Sequence, residues 1–141
     1  MKNKLQESVE TNLEITVPNA TVEEAAKRME VGNVGVLPVL EGTRLVGLVT
    51  DRDIVVRTLA QGLDPKTTKI KDIMTKEVVT CSIDQSLDEA GRLMGENKIR
   101  RLMVIDKNGD FMGVISLGDL AEGAPDKKFV GEVLKKISSG H

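Results

Sequence analysis

The chain has 141 residues, and its 20 Lys and Arg against 22 Asp and Glu give a formal net charge of −2. That balance excludes the basic surface a nucleic-acid binder needs. With two Phe, no Trp and no Tyr, the chain also lacks stacking platforms for single strands, and its core must come from Val, Ile, Leu, Met and Ala.

One cysteine, Cys81, excludes an internal disulfide, and the single histidine, His141, excludes a Cys/His zinc site by count. A terminal His is also a poor positioned base. The opening "MKNKLQESVE" has no apolar run, so no secretion signal is expected. No segment is long and apolar enough to span a bilayer, and the chain reads as cytoplasmic. The closing Ser-Ser-Gly-His is either native or a cloning remnant.

The first expected element is an extended segment, Leu13–Val17. A helix follows, where Thr21 and Glu24 have the spacing of a capping box. Its apolar residues Val22, Ala25, Ala26 and Met29 share one face. Two apolar runs, "VGVLPVL" and "RLVGLVT", flank a Glu-Gly-Thr turn and predict a hairpin. A second helix is expected over about 51–61, then a Gly- and Pro-containing linker over 62–69.

The same order then recurs. Val78–Ser82 is extended, and Ser86 with Glu89 opens a helix carrying Leu87, Ala90, Leu93 and Met94. "RLMVID" and "FMGVIS" flank "DKNGD", and a helix closes the copy over about 117–122. A shift of 65 lays "TVEEAAKRM" on "SLDEAGRLM" and "LPVLE" on "LMVID"; one inserted residue then makes the shift 66. Each copy is strand, helix, strand, strand, helix. The copies are bounded at 5–62 and 70–122, and 123–141 is expected as a C-terminal helix and tail packing on the pair. Three short amphipathic pieces, "LQESV", "IKDIM" and "VGEVL", are expected to pack outside and tie the halves together. A single copy buries little surface, so two should share one core.

The duplicated phrases are "GLVTDRDI" and "GVISLGDL". Gly47 and Gly113 permit close approach of a ligand to backbone. Thr50 and Ser116 fall at strand-to-helix junctions, where unpaired amides favour an anion. Asp53 and Asp119 can accept hydrogen bonds from two adjacent hydroxyls, as a ribose offers. The same Thr/Ser-x-x-Asp spacing also fits a capping box, and both roles can coexist. The copies differ at one point: Arg100 and Arg101 stand where the first copy has Gly35 and Val36. Strand alternation turns one of the two toward a cleft and the other outward. Arg has the donor fork for phosphate, and a solvated surface pair is the alternative.

Gly-apolar-x-Thr/Ser-x-x-Asp after a "LPV" hairpin and a "TVEEAAKRM" helix, written twice, resembles the CBS domain, and the tandem resembles a CBS pair. The resemblance covers about Leu5 to Ala121. It implies an α+β (α/β) fold of pseudo-two-fold repeats, each β-α-β-β-α, with two small sheets packed face to face. It implies a regulatory sensor of an adenine nucleotide or adenosyl ligand, AMP, ADP, ATP or a relative, bound in composite clefts between the repeats. An arginine-rich cleft would use Thr50, Arg52 and Asp53 with Thr80, Cys81, Ile99, Arg100, Arg101 and Met103. A second cleft would use Thr16, Val17, Val34, Gly35, Val36 and Pro38 with Ser116, Gly118 and Asp119.

The arginine-rich cleft is expected to bind the phosphorylated adenosine; the other is expected to bind weakly, to take an uncharged nucleoside, or to stay empty. Without aromatics the base would lie between aliphatics such as Val17, Val34, Ile99 and Met103. Cys81 either lines a cleft or is a small buried residue. Met103 replaces Pro38, so the second hairpin is expected to enter differently.

No catalytic group and no metal site is expected, and an enzyme is not. The competing function is a ligand-independent dimerisation module that regulates a partner protein. By resemblance such pairs self-associate through helices, and Val55, Val56, Leu59 and Ala60 form an apolar stripe suited to a homodimer contact, unless that stripe is core. An effector protein is implied but not encoded; nucleic acid and membrane are not expected as partners.

Overall fold

The computed structural model describes residues 5–123 and 126–139; Gly140 and His141, of the terminal Ser-Ser-Gly-His, lie outside them. The chain divides into a middle unit, Leu13–Val78, and a terminal unit in which Met1–Asn12 joins Val79–His141. The edges of these units differ from the edges of the copies. Leu5 is fully buried among Leu87, Met94, Leu102, Ile115 and Leu120 of the second copy. Ile70 and Ile73 are buried among Val22, Leu37 and Val49 of the first. The short amphipathic pieces "LQESV" and "IKDIM" are therefore core plugs and not outer ties. An apolar side chain at full burial contributes about 1.5–3 kcal/mol, which outweighs where the chain happens to enter a copy.

The middle unit holds α1 (Val22–Gly32), β1 (Val36–Glu41), β2 (Arg44–Thr50), α2 (Asp51–Ile54) and α3 (Ile70–Ile73). Thr21 and Glu24 form the expected capping box at the start of α1. The helix ends at Asn33 in the left-handed conformation, φ 51°, one of the residue types that tolerates it. β1 and β2 pair antiparallel, with Val36 opposite Thr50 and Val39 opposite Gly47. Their inward side chains, Leu37, Val39 and Val49, meet Val22, Ala25 and Met29 of α1.

The expected strand Leu13–Val17 reduces to one bridge, Thr16 with Val39. The cause is two prolines. Thr16 N–H donates to Pro38 O at 3.0 Å, and Leu40 N–H donates to Thr16 O at 2.9 Å. The next parallel ladder bonds on either side would need the amide hydrogens of Pro18 and Pro38, which do not exist. The second copy has Ile83 and Met103 at these places, and Ile83 N–H does donate to Ile105 O at 2.9 Å. There a true strand forms.

The terminal unit holds β3 (Thr80–Ser82), α4 (Leu87–Asn97), β4 (Arg101–Ile105), β5 (Phe111–Ser116), α5 (Leu117–Gly123) and α6 (Lys127–Ser138). Its sheet runs β3-β4-β5, parallel then antiparallel. α6 starts on Asp126, whose carboxylate accepts from the amides of Lys128 and Phe129. It buries Val133 and Ile137 in the same core as α4. Phe129 lies against Gly91 of α4, where a β-carbon would stand 2.7 Å from the ring. The piece "VGEVL" is thus the middle of a helix.

After α2 the middle unit continues as a π-helical turn, Val55–Leu59. The expected helix over 51–61 is present as α followed by π. The wider turn leaves Thr58 fully buried, its hydroxyl without a partner among the described residues. A buried hydroxyl without a bond costs about 1–3 kcal/mol. Thr58→Val, which keeps the shape, should therefore raise stability by about 1 kcal/mol in urea unfolding. A loss of similar size would show that the hydroxyl is satisfied.

Candidate functional site

Both duplicated turns sit where the last strand of a hairpin becomes a helix. In the middle unit, Asp53 N–H donates to Thr50 Oγ1 at 3.0 Å, and Thr50 N–H donates to Asp53 Oδ2 at 3.0 Å. In the terminal unit, Asp119 N–H donates to Ser116 Oγ at 3.0 Å, and Ser116 N–H donates to Asp119 Oδ2 at 2.9 Å. Both are reciprocal capping boxes. The capping role expected of these residues is met in full, and each carboxylate keeps a second oxygen for another donor.

That second donor lies one residue past the "IKDIM" piece and was not itself singled out in the sequence. Thr75 Oγ1 donates to Asp53, 3.4 Å from Oδ1 and 3.3 Å from Oδ2. Arg57 Nε lies 3.7 Å from Asp53 Oδ1. Thr75 also exchanges two backbone bonds with Leu48, at 2.8 and 2.9 Å, beside Gly47. The terminal unit repeats the backbone pairing with a different residue. Glu10 exchanges two backbone bonds with Val114, at 2.8 and 3.0 Å, beside Gly113. Glu10 is exposed; interaction with the Asp119 carboxyl group, slight desolvation and the charge of Glu122 raise its pKa above the usual carboxylate value, and Arg101 opposes them. Glu10 and Thr75 are one repeat of 65 apart. The sequence signal was the match of "LQESV" to "IKDIM", carried one residue further.

The remaining expected residues fall in two groups. In the middle unit Thr16 and Pro38 are buried; Val34, Gly35, Val36 and Thr50 are half-buried; Val17 and Arg52 are exposed. Asp53 is 7% exposed, as its three partners require. A hollow of about 490 Å³ in this unit includes Thr16 and Val17, together with Ile15, Ala20, Arg28 and Val31. Val34, Gly35, Val36 and Pro38 are not on it. Gly35 instead faces Asp51, where a β-carbon would stand 2.7 Å from Oδ2.

In the terminal unit Thr80, Ile99, Ser116 and Asp119 are half-buried and Gly118 is exposed. Arg100 and Arg101 are both exposed, where alternation was expected to turn only one outward. The Arg100 carbonyl accepts from Leu117 N–H at 2.8 Å, and Arg101 stands opposite Ser116 in the ladder. Met103 is buried on the sheet face opposite Leu102 and Val104. Cys81, expected as a cleft residue or a small buried one, is the latter. It belongs to the core with Leu87 and Met94, and burial pushes its thiol pKa up to about 11. It is no wall of an open cleft.

The duplicated hairpins, helices and turns define a tandem repeat protein of mixed α and β structure, and the comparisons place it. The CBS domain pattern matches residues 9–58 and again 70–126, so the chain belongs to the CBS domain family. It is 38% identical over 136 residues to the CBS domain-containing protein YhcV of Bacillus subtilis, covering 96% of each chain. In structure it resembles Hypoxic Response Protein I with two coordinated zinc ions, at a TM-score of 0.78 and 28% identity over 87% of this chain and all of that one. It also resembles CBSX2 in complex with AMP, at a TM-score of 0.74 and 26% identity over 86% of this chain and 96% of that one. The family is generally regulatory and not catalytic. Among the described residues no helix is long and apolar enough to cross a membrane.

Proposed function

We propose that the chain is a regulatory sensor that binds an adenine nucleotide between its two CBS repeats and passes the bound state to an effector protein. The reading is carried by one observation: the Gly-x-x-Thr/Ser-x-x-Asp turn is built twice, each time as a strand-to-helix junction with a hydroxyl and a carboxylate on the first helical turn. The complex of the similar CBSX2 with AMP supports the choice of ligand. The arginine-rich cleft, with Arg100 and Arg101, is assigned the phosphate; a planar fork on an anion makes a strong, charge-assisted bond. Asp53 is assigned the ribose.

The test uses the composition. With no Trp and no Tyr, the pure protein hardly absorbs near 260 nm, so a copurified adenosine compound stands out and can be named by mass spectrometry after denaturation. Arg101→Ala should weaken AMP binding about tenfold in calorimetry, against about threefold or less for Ser116→Ala. Equal losses would overturn the asymmetry between the clefts. No binding of AMP, ADP or ATP at millimolar concentration would overturn the sensor reading.

A second reading is favoured by one specific surface. Val55, Val56 and Leu59 are 54%, 40% and 58% exposed, and Leu63 is 45% exposed. The stripe expected on this helix is therefore surface and not core. Adjacent exposed apolar residues of this kind mark a protein contact, and a homodimer through this face fits them. Light scattering reads it directly: a monomer at high concentration would sink the dimer.

A further inference from the structure

We infer that the hollow beside α1 is a small-molecule site of its own, and that it takes a zwitterion with an aliphatic body, such as a free aliphatic amino acid. The hollow lies within the middle unit, between α1 and the extended segment around Thr16, and Thr50 and Asp53 are not on it. Its volume of about 490 Å³ falls in the usual range of such sites, about 300–1,000 Å³.

The terminal unit shows what packing alone makes of the same place. There Val79, Cys81 and Leu93 pack on the core. Arg92 lies outside them, held by Glu89 at 2.7 Å and Glu96 at 2.8 Å. The middle unit inverts this pattern at the positions 65 residues earlier. Glu14, Thr16 and Arg28 stand for Val79, Cys81 and Leu93. Ile15, Val17, Ala20 and Val31 stand for Thr80, Ser82, Gln85 and Glu96. Of the lining, only Glu24 and Lys27 keep their class, against Glu89 and Arg92. Val31 is 77% exposed, while Thr16 is 6% exposed. Among the described residues the Thr16 hydroxyl has no hydrogen-bond partner. Packing alone gives no reason to put apolar residues outside and polar ones within. A ligand that carries both kinds of group does.

Charge selects the class of ligand. Arg28 Nη1 donates to Glu14 Oε1 at 3.3 Å. The stem of Glu14 is seated on Gly32, where a β-carbon would stand 2.8 Å from Glu14 Cγ. The pair leaves donors of the guanidinium for a carboxylate, and a second carboxylate oxygen of Glu14 for an ammonium group. Lys27 and Glu24 add one charge of each sign, so the charges around the hollow balance. A nucleotide phosphate would meet two carboxylates here, whereas a zwitterion is complementary to both signs. Ile15, Val17, Ala20 and Val31 remain for the aliphatic chain.

The experiment contains no nucleotide and so stands apart from the proposed function. Methyl and amide NMR of the intact chain is followed during titration with L-leucine to about 10 mM. Saturable shifts are expected at Ile15, Val17, Ala20 and Val31. Two fragments of the probe are titrated in the same way. 4-Methylpentanoate lacks the ammonium group and 3-methylbutylamine lacks the carboxylate, and each should bind about tenfold more weakly. Glu14→Val combined with Arg28→Leu, which copies the terminal unit, should abolish the shifts. No saturable shift with leucine, binding of either fragment as tight as that of leucine, or shifts that survive in the double variant would overturn the site. The fragments decide on the parent chain alone if the variant fails to fold.

Discussion

Gly113→Ala should cost about 3–5 kcal/mol of stability and lower the melting temperature by about 10 °C. Two separate effects add. Gly113 has φ +149°, a conformation that L side chains rarely adopt. Holding a non-glycine residue there costs about 1–3 kcal/mol. A β-carbon would also collide with the Glu10 carbonyl and stand 2.5 Å from Val9 Cγ1. The backbone of the N-terminal segment would have to leave β5, giving up both Glu10–Val114 bonds and straining the burial of Leu5. The equivalent Gly47 is a control inside the same chain. Its φ is not positive, and its first neighbour is the flexible Met74 Sδ at 2.8 Å, then Thr75 O at 2.9 Å. Gly47→Ala should cost less than half as much. Urea unfolding of both variants checks the pair, and equal losses would show that the positive φ contributes nothing.

Asp53→Ala has the second large effect, and it separates two roles of one residue. Asp53 is 7% exposed and accepts from Thr50 N–H and Thr75 Oγ1, with Arg57 at 3.7 Å. Removing it strands a half-buried amide and a half-buried hydroxyl, at about 2–3 kcal/mol. The exposed Arg57 adds little, since a half-solvated ion pair is worth less than about 1 kcal/mol. Asp53→Asn keeps an acceptor oxygen for the cap and should cost about 1 kcal/mol. It removes the charge that a ribose diol would meet. If Asp53 binds the sugar, Asp53→Asn should lose about tenfold in AMP affinity while the fold is kept. Unchanged affinity in a folded Asp53→Asn protein would leave only the cap.

The repeat made most of the fold legible. Capping spacing at Thr21 and Ser86, helical spacing behind each, and two hairpins with Gly-containing turns all point to one supersecondary unit. The sequence reading failed where long-range burial or missing hydrogens decide. "LQESV" and "IKDIM" are too short to carry a period, so nothing local shows that Leu5 and Ile70 are core. The prolines at 18 and 38 sit twenty residues apart, and their joint effect on one ladder shows only once Thr16 lies beside Val39. At the site, the spacing located both turns but not the donors that complete them. Thr75 and Glu10 differ in side-chain chemistry, so a comparison by polarity alone passes over the backbone pairing they share beside Gly47 and Gly113.

The pairing of Met1–Asn12 with Val79–His141 also sets a schedule for synthesis. The segment that pairs with β5 leaves the ribosome well before it, since β5 is made only after the whole of Leu13–Val78. At about 5–20 residues per second the segment waits for several seconds, and the middle unit has time to form. Leu5 is an exposed apolar residue for all of that interval. The terminal unit then closes by capturing a segment far away in the chain, the slow kind of contact. Nascent chains stopped before β5 should therefore hold a folded middle unit and an N-terminus that protease can still reach.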